Sequence, residues 1–429
     1  MQLKEIYHRI LSDFFPEQLI IQFGDQKLIY RKRTWRVFDE EKKQWEDRGL
    51  RYGENPDQPA ALYELVGGNL VLGDCKFIDP EKGLVSALKE EDFLQFGKHP
   101  SKINLTDIDS GLNIIKYLMD KPTACIIKHN NPCGVAQGET LAQALERAFL
   151  ADRIAAFGGC VVLNRPLDKE SAQWMSQFYF EVVVAPEYEE GTLEFLKKWK
   201  NLRIVKIEKI DRLQEYTDLP FIEFKSLMDG GLIVQRSFVN QIRKPEDLKP
   251  ALTLYKGKEY RILREPTPRE IEDMLFGWAV IQGVTSNSVV FVKDKTTCAI
   301  ATGEQDRVGA VQIGIFKAYQ KYADALSFKQ YGLSYYELEQ EVKEGKRPQE
   351  HKELIDQKVK EERGGLKGSV LISDGFFPFK DGPELAIREG ITAILQPGGS
   401  ERDHEVIEAC NRANPPVAMV FTGQRCFRH

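Results

Sequence analysis

The sequence lacks a long hydrophobic run, and this absence excludes several classes of protein. None of its 429 residues lies in a stretch approaching the ~20 consecutive apolar residues that a membrane-spanning helix requires. Residues Met1 to Ile21 alternate charged with apolar side chains, without the apolar segment and small-residue cleavage site of a signal peptide. We therefore expect a cytoplasmic protein that has no membrane partner.

Paired cysteines, abundant histidine and excess positive charge are also missing. The seven cysteines are dispersed and form no CxxC pair, which favours reduced thiols over a disulfide framework. The formal net charge of −5 lacks the basic excess typical of proteins that bind nucleic acid. Nucleic acid is therefore not an expected partner, and any bound anion must be held by a local pocket of arginine and lysine.

What the sequence does contain is an alternation of short apolar runs and amphipathic stretches. The runs predicted as strands include Thr123–Ile127, Ala155–Leu163, Val182–Ala185, Leu202–Ile207, Ser288–Lys293, Thr297–Ala301, Ser369–Ile372, Ala393–Gln396 and Val417–Phe421. The stretches predicted as helices include Leu112–Met119, Thr140–Leu150, Glu270–Gln282 and Val308–Ala325. Strands that alternate with helices indicate a layered α/β fold.

The N-terminal part of the chain is less regular. Apolar residues repeat at helical spacing from Leu3 to Phe14, and residues 19–30 predict a small hairpin. The charged stretch from Trp35 to Asp47 is predicted to be a solvated segment. Prolines between residues 220 and 250 predict a boundary there, and residues 326–366, rich in Glu, Lys and Gln, predict an exposed helical insertion.

A polar loop follows the predicted strand Thr123–Ile127 and reads KHNNPCG from Lys128 to Gly134. Ligand sites in open α/β sheets lie outside the carboxyl ends of strands, where this loop is expected. It offers an ammonium, two amides and one imidazole, a group that titrates near neutral pH. Pro132 and Gly134 predict an irregular backbone. The simpler alternative is a turn whose polar groups only satisfy the backbone.

A zinc site is a second alternative for this loop. Zinc deaminases combine a His or Cys ligand, a nearby Glu and a Pro-Cys-x-x-Cys pattern. Here Pro132-Cys133 lacks the second cysteine, and Asn131 stands where the glutamate is needed. The sequence therefore predicts no metal at this loop.

Two further motifs are candidates for binding an anion. RYGENP begins at Arg51, whose guanidinium can hold an oxyanion through two hydrogen bonds, although a surface turn is the alternative. SNS at residues 286–288 is followed by a glycine-containing loop and Arg307, at the start of a predicted helix. Helix N-termini attract anions, and Asp306 would either oppose that attraction or serve as the N-cap.

The remaining motifs lie near the C-terminus. DGFFPFKDG, from Asp374 to Gly382, places three phenylalanines beside two aspartates. That composition suits a flat heteroaromatic ring such as a pterin, although core aromatics are the alternative. QPGGS follows the next predicted strand, and the terminal RCFRH is predicted to be docked rather than frayed.

Taken in order, these motifs resemble the formyltransferase half of the bifunctional AICAR transformylase/IMP cyclohydrolase family. The resemblance runs from Arg51 to His429 and includes RYGENP, KHNNPCGVA, AFGG, SNS, DGFFPFKDG, QPGGS and RCFRH. It implies a cytidine-deaminase-like layered fold, duplicated within the chain and without zinc. It also implies a leader at residues 1–50 in place of the cyclohydrolase domain, and transformylase subdomains at residues 51–235 and 236–429.

The resemblance implies a reaction as well. A formyl group passes from 10-formyltetrahydrofolate to the 5-amino group of 5-aminoimidazole-4-carboxamide ribonucleotide, a step of de novo purine synthesis. We expect no cyclohydrolase activity, no metal, and a homodimer with its sites at the subunit interface. A related formyltransferase with another aminoimidazole substrate, and a nucleotide-binding homologue without turnover, stay open as alternatives.

Residue roles carry over by match of motif. His129 corresponds to the proton acceptor and Lys128 to the residue that stabilises the transition state. The positions that hold the nucleotide correspond to Arg51, Tyr52, His129, Gly158, Asn287, Arg307, Phe376, Arg425 and Phe427. The positions near the folate correspond to Glu181, Val308, Asp381, Ser400 and Glu401.

Three departures from the family pattern bear on substrate choice. Asp57 stands where the family usually has histidine, and Cys426 stands where bacterial members often have histidine. The loop before Arg307 carries Glu304 and Asp306, which add negative charge beside the expected nucleotide site.

Overall fold

The structure, a computed structural model, describes residues 14–39, 42–76, 78–79 and 83–429. They form two compact units, one containing the described residues up to Met119 together with Gly158–Val239, the other containing Asp120–Phe157 and Asn240–His429. The third crossing between units, after Val239, lies close to the predicted boundary at residues 235 and 236. Most of the predicted helix that begins at Leu3 lies outside the described residues.

The first unit combines small antiparallel sheets with a short parallel array. Its strands are Gln18–Phe23, Gln26–Arg33, Trp35–Asp39, Gln44–Arg48, Leu62–Gly68, Val71–Leu72, Cys75–Lys76, Phe93–Gln95, Cys160–Leu163, Val182–Ala185, Arg203–Lys206, Ile222–Ser226 and Leu232–Arg236. Its α-helices are Lys102–Ile115, Lys169–Met175 and Thr192–Leu196. The strands at residues 160–163, 182–185 and 203–206 pair in parallel, and Phe93–Gln95 closes their edge antiparallel.

The hairpin predicted near the N-terminus is confirmed, with Phe23 opposite Gln26. Most described residues of the predicted solvated segment Trp35–Asp47 are exposed, and residues 35–39 and 44–48 pair as a second hairpin. Trp35 is fully buried, and its indole N–H donates to the carbonyl of Leu88 at 3.0 Å. Along this strand Arg36 and Phe38 face solvent, whereas Trp35 and Asp39 are buried on the opposite face.

The second unit is built on a mixed sheet. Its strands are Thr123–Lys128, Asn131–Gln137, Lys249–Pro250, Leu252–Tyr255, Lys258–Arg261, Val289–Lys293, Thr296–Ala301, Val370–Ser373, Ala393–Gln396 and Ala418–Phe421. Its α-helices are Leu141–Ala151, Arg153–Ala156, Pro268–Ile281, Arg307–Tyr331, Tyr335–Lys343, Gln349–Glu361, Asp381–Arg388 and Asp403–Arg412. The strands at residues 370–373, 393–396 and 418–421 pair in parallel, whereas 289–293 and 296–301 form an antiparallel hairpin.

The predicted α/β class is confirmed, and most predicted strands fall within a residue or two of those observed. The run Ala155–Leu163 is an exception, because its first residues end a short helix and only Cys160–Leu163 is a strand. The core of the second unit packs Phe291, Phe377 and Met419, all fully buried, between the sheet and its helices. Of the helices in the described part of the chain, none combines the length and apolar character needed to cross a membrane.

Candidate active site

Lys128 and His129 lie at a tight hairpin turn in the second unit. Thr123–Lys128 pairs antiparallel with Asn131–Gln137, and Lys128 stands opposite Asn131, so His129 and Asn130 form the turn. Their φ angles are 54° and 59°, the left-handed pair typical of a two-residue type I′ hairpin. His129 is therefore exposed at the tip of the hairpin.

The prediction of an irregular loop through Pro132 and Gly134 is wrong. Both residues belong to the strand Asn131–Gln137, where they flank a shift in the pairing register. Gly134 is required there by space, because a Cβ on it would lie 1.9 Å from the carbonyl oxygen of Ala148. The helix that contains Ala148 thus packs directly on the strand that supports His129.

The ammonium of Lys128 is held beside the turn. Its Nζ donates to the carbonyl of Phe157 at 2.6 Å, and the side chain is half-buried. Cys133 lies behind it, and burial raises the pKa of that thiol to about 12. The neutral Sγ instead donates to the carbonyl of Ile126 at 3.4 Å. Across the described ranges, no group of three or more His, Cys, Asp or Glu is arranged to hold a metal ion.

Arg307 and Asn287, both predicted site residues, meet in the same unit. One guanidinium nitrogen of Arg307 donates to Asn287 Oδ1 at 2.8 Å, and the other donates to the carbonyl of Ser288 at 2.8 Å. That second nitrogen also donates to the carboxylate of Asp374 in a very short contact. Arg307, Asn287 and Asp374 come from different segments of the chain, so tertiary packing brings them together.

Asp374 is a buried residue of this cluster that the sequence analysis did not assign to the site. Its side chain is fully buried, and its Oδ2 accepts hydrogen bonds from Ser286 Oγ at 2.6 Å and Ser288 Oγ at 2.8 Å. The carboxylate thereby holds Arg307 and the SNS turn in one arrangement. Its position directly after a buried strand was the available signal, but the sequence suggested an acidic edge of an aromatic slot instead.

The C-terminal tail is docked, as predicted. The backbone N–H of Cys426 donates to the carbonyl of Asp374 at 3.2 Å, and the N–H of Arg428 donates to Ser286 Oγ at 3.1 Å. A Cβ on Gly375 would lie 2.7 Å from Phe427 Cε1, so the Phe427 ring lies against that glycine. Arg425 is exposed, with its guanidinium 5.2 Å from the centre of the Phe427 ring.

The three phenylalanines of DGFFPFKDG do not form one slot. Phe377 is fully buried in the core, as the simpler alternative held, whereas Phe376 and Phe379 are 36% and 47% exposed. The guanidinium of Arg402 lies 5.0 Å from the Phe379 ring centre. Phe376 and Phe379 are therefore the aromatic members of the motif that can contact a ligand, while Phe377 anchors the loop.

The expected folate positions of the second unit stand at helix starts and in one loop. Val308 is half-buried in the first turn of Arg307–Tyr331, and exposed Asp381 begins Asp381–Arg388. Ser400 and exposed Glu401 lie in the glycine loop ahead of Asp403. Asp403 was not predicted, yet its buried Oδ2 accepts the N–H groups of Gly399 at 2.7 Å and Ser400 at 3.0 Å. It fixes the conformation of that loop.

The acidic departures from the family pattern have local partners. Asp306 is the N-cap of the helix Arg307–Tyr331 and accepts the N–H of Gly309 at 2.7 Å, which confirms the second alternative considered for it. Glu304 accepts the N–H of Gln305 at 3.1 Å. Asp57, in the other unit, is exposed. The carboxylate of Asp306 thus compensates the helix N-terminus rather than opposing Arg307.

The first unit contains a separate cluster of predicted residues. Arg51 and Tyr52 are buried, and the guanidinium of Arg51 donates to the Tyr52 hydroxyl at 3.0 Å. The carboxylate of Glu181 lies 3.6 Å from the guanidinium of Arg203 and accepts from Asn104 Nδ2 at 3.3 Å. Arg203 is 1% exposed and was not predicted, although an arginine in the apolar run 202–207 was a visible signal.

This cluster carries an excess of positive charge. Burial and the neighbouring charge of Arg51 lower the pKa of Arg203 to about 10, and burial together with both arginines lowers the pKa of Lys98. Glu181 is the carboxylate that acts on all three cations. Gly158, with φ of 71°, donates to the carbonyl of Tyr179 next to them. Three cations facing one carboxylate form a site suited to a multiply charged anion.

Comparison with known proteins identifies the family of the chain. The model of the AICARFT/IMPCHase bienzyme family matches residues 17–317. The bifunctional purine biosynthesis protein PurH of Caldicellulosiruptor saccharolyticus is 34% identical over 385 residues, which cover 89% of this chain and 59% of that protein. The protein of the same name from Chlorobaculum parvum is 36% identical over 384 residues, again 89% and 59%. That from Aquifex aeolicus is 34% identical over 429 residues, 99% and 65%.

The chain therefore spans about three fifths of the length of the first of these relatives. The family model covers well over half of this chain, from the first hairpin into the long helix after the SNS turn. The Lys128–His129 turn, Asn287 and Arg307 lie within the matched residues, whereas Asp374 lies beyond them. By this match, the chain belongs to the AICARFT/IMPCHase bienzyme family.

Proposed function

We propose that this chain transfers a formyl group from 10-formyltetrahydrofolate to the 5-amino group of 5-aminoimidazole-4-carboxamide ribonucleotide. The products are the formamido nucleotide and tetrahydrofolate, in de novo purine synthesis. The observation that carries the proposal is the Arg307–Asn287 pair held by buried Asp374, in a chain that belongs to the bienzyme family. That pair presents fixed polar groups of the kind that orient a carboxamide.

Different residues would hold different parts of the nucleotide. Arg307 and Asn287 would bind the carboxamide and imidazole, with the exposed face of Phe376 against the ring. The cationic cluster of Arg51 and Arg203 in the first unit would bind the phosphate, because guanidinium groups match its oxygens through paired hydrogen bonds. Tyr52, Gly158, Arg425 and Phe427 complete the nucleotide-binding set that we propose.

The folate would be held by residues that the resemblance assigns to it. Four of these residues belong to the second unit, namely Val308, Asp381, Ser400 and Glu401. The fifth, Glu181, belongs to the first unit. The backbone of the Ser400 loop is fixed by Asp403, so its polar groups are already oriented. We propose 10-formyltetrahydrofolate as the co-substrate and assign no step to a metal.

The chemistry then follows from the hairpin turn. The amine nitrogen forms a bond to the formyl carbon, and the carbonyl electron pair moves to oxygen, where the ammonium of Lys128 stabilises the charge. His129 accepts the proton that the attacking amine loses, and its exposure at the hairpin tip leaves the imidazole free to meet a substrate. Collapse of the intermediate breaks the bond from the formyl carbon to N10 of the folate, which takes up a proton.

The direct test is to supply both substrates and look for the formamido nucleotide and tetrahydrofolate in equal amounts. We expect His129→Ala to lower kcat by roughly 10²–10⁴-fold, because proton transfer loses its acceptor. Lys128→Leu should lower kcat by about 10²-fold or more, because the developing oxyanion loses its counter-charge. Lys358→Leu, on an exposed helix, is the matched control and should keep full turnover.

Near-native turnover by either active-site variant would show that its assigned role is wrong. A wild-type chain that binds the nucleotide without forming either product would favour the non-catalytic alternative. Since Glu304 departs from the family pattern, a panel of other aminoimidazole nucleotides should be assayed beside the expected substrate. Faster formylation of another member of that panel would favour the alternative of altered substrate choice.

We also propose that formyl transfer proceeds in this chain without ring closure. The motifs on which the resemblance rests, from Arg51 to the C-terminus, all belong to the transformylase half of the family. Incubating the chain with the formamido nucleotide and following the absorbance of the closed purine ring tests this. Ring closure above the uncatalysed rate would contradict it.

The duplicated, cytidine-deaminase-like fold is likewise a proposal. Its support is that each unit contains three consecutive short parallel strands, at residues 160–163, 182–185 and 203–206 in the first unit and 370–373, 393–396 and 418–421 in the second. Superposing the two sets with their flanking helices would test the duplication. Different connections around the two sets would contradict it.

A further inference from the structure

We infer that Arg428 is a positioning residue for the His129 turn. The inference rests on the proposed function only in naming His129 as the proton acceptor. Arg428 is the penultimate residue of the chain. Its side chain and its backbone attach the C-terminal tail to two different segments of the second unit. Its contacts, given below, join the hairpin turn to the network that fixes Arg307.

The side chain of Arg428 reaches the turn directly. Its Nη1 donates to the carbonyl of Asn130 at 2.9 Å and also to the carbonyl of Gly283. Asn130 is the second residue of the two-residue turn, so the hydrogen bond acts one residue away from His129. Hydrogen bonds from a guanidinium are charge-assisted, and its planar fork fixes direction as well as distance.

The backbone of Arg428 is held just as closely. Its N–H donates to Ser286 Oγ at 3.1 Å, and its carbonyl accepts the N–H of Ser286 at 2.9 Å. Ser286 Oγ in turn donates to Asp374 Oδ2 at 2.6 Å, and Asp374 pairs with Arg307. One residue of the tail therefore links the turn that carries the proton acceptor to the groups that hold the nucleotide.

Such a link can stabilise the turn, whose tip is exposed and whose backbone conformation is costly. His129 is exposed, and both turn residues adopt positive φ, which non-glycine residues adopt only at a cost in free energy. A second tie comes from Asn131 Oδ1, which accepts the N–H of Thr285 at 2.9 Å. The Arg428 side chain holds the preceding residue, Asn130, so the two ties act on neighbouring residues of the turn. A misplacement of about 1 Å in a catalytic group can cost about 10²-fold in rate.

The test uses the full chain with Arg428→Gln and Arg428→Lys. We expect the glutamine variant to lower kcat by about 10–100-fold while the KM for each substrate changes less than about 3-fold, because the imidazole is displaced but the binding groups stay. The lysine variant keeps the charge and should recover part of the rate. Arg412→Gln removes an arginine that is 73% exposed on a helix, and it is the matched control with unchanged kinetics.

A second readout does not depend on turnover. The imidazole signals of the six histidines can be resolved by NMR, with His129→Ala identifying the one from the turn. In both Arg428 variants the His129 signal should shift or broaden, and in Arg412→Gln it should not. Should Arg428→Gln fail to fold, as judged by circular dichroism, the lysine variant carries the test.

An unchanged His129 signal in a folded Arg428 variant would overturn the inference. So would a rise in KM with kcat intact, since that pattern assigns Arg428 to substrate binding. Absence of formyl transfer by the wild-type chain would instead contradict the proposed function, and the NMR measurement would still decide whether Arg428 positions the turn.

Discussion

At the scale of single residues, Asp374 is the buried charge on which the second-unit cluster depends. Its carboxylate is fully buried and pairs with Arg307, and it accepts hydrogen bonds from the two serines of the SNS turn. Removing one partner of a buried ion pair leaves the other charge uncompensated, which commonly costs about 3–5 kcal/mol.

We predict that Asp374→Asn lowers the free energy of unfolding by about 3 kcal/mol and raises the KM for the nucleotide. The amide keeps the shape of the side chain but withdraws the charge that faces Arg307. Urea denaturation and steady-state kinetics are the measurements, with exposed Asp211→Asn as the control. Native stability and native KM in Asp374→Asn would mean that the carboxylate does not organise the cluster.

His99 gives a residue-scale prediction for the first unit. The ring is 8% exposed, its Nε2 donates to the carbonyl of Gly49 at 2.7 Å, and it stacks on Phe96 with centroids 5.8 Å apart. Its Nδ1 is buried and has no hydrogen-bond partner in the part of the chain that the structure describes. Burial lowers the pKa of His99 to about 4, so the folded state disfavours the protonated ring.

The sign of the pH effect follows from that lowered pKa. The unfolded histidine takes up a proton near pH 6.5 and the folded one only near pH 4, so stability is lost as the pH falls through this window. We predict that His99→Phe removes a pH-dependent contribution of about 3 kcal/mol. Urea denaturation of wild type and variant between pH 7 and pH 4 measures it. Parallel stability curves for the two proteins would refute the assignment.

At the scale of elements, the hairpin that carries His129 is positioned by the helix that packs on it. The helix Leu141–Ala151 approaches the strand Asn131–Gln137 so closely that Gly134 has no room for a methyl group. We predict that Gly134→Ala destabilises the chain by about 1–3 kcal/mol and lowers kcat, since helix and hairpin must separate. Gly67→Ala is the matched control, because its Cβ would meet only ordinary contacts from 3.7 Å.

Thermal unfolding and kcat of the two glycine variants test this packing. A Gly134→Ala variant as stable and active as Gly67→Ala would show that the helix does not constrain the hairpin. Loss of stability with native kcat would show that the packing at Gly134 supports the fold without affecting the placement of His129.

The elements also show where sequence patterns mislead. The segment that begins at Trp35 is rich in charge and mostly exposed, yet it pairs as a hairpin in which Trp35 and Asp39 are buried. The sequence predicts an irregular loop after His129, because proline and glycine usually interrupt strands. In the structure, Pro132 and Gly134 instead lie within a strand, at a shift in its pairing register. Local composition indicates exposure, but pairing decides the element.

At the scale of the whole molecule, the two clusters belong to different compact units, and each unit is assembled from segments distant in sequence. The resemblance implies a homodimer whose sites draw on both subunits, and complementation tests this. We predict that Arg51→Gln and His129→Ala, each inactive alone, regain about a quarter of native activity when unfolded together and refolded as a mixture. Random pairing makes half the dimers mixed, each with one intact site.

Analytical ultracentrifugation of the same mixture gives the oligomeric state. A monomer would contradict the homodimer, and a mixed dimer without regained activity would place Arg51 and His129 of each site in the same subunit. The control is each variant refolded with itself, which should stay inactive.

The sequence alone determined the α/β class, most strand positions, the order of the family motifs and the chemistry that they suggest. These follow from hydrophobic periodicity and from short motifs, both of which are local properties of the chain. Only the tertiary structure decided that Asp374 joins Arg307 to the SNS turn, that Arg203 lies beside Glu181, and that Arg428 reaches the hairpin of His129. Such contacts join residues far apart in the chain, and no local pattern encodes the packing that brings them within hydrogen-bonding distance.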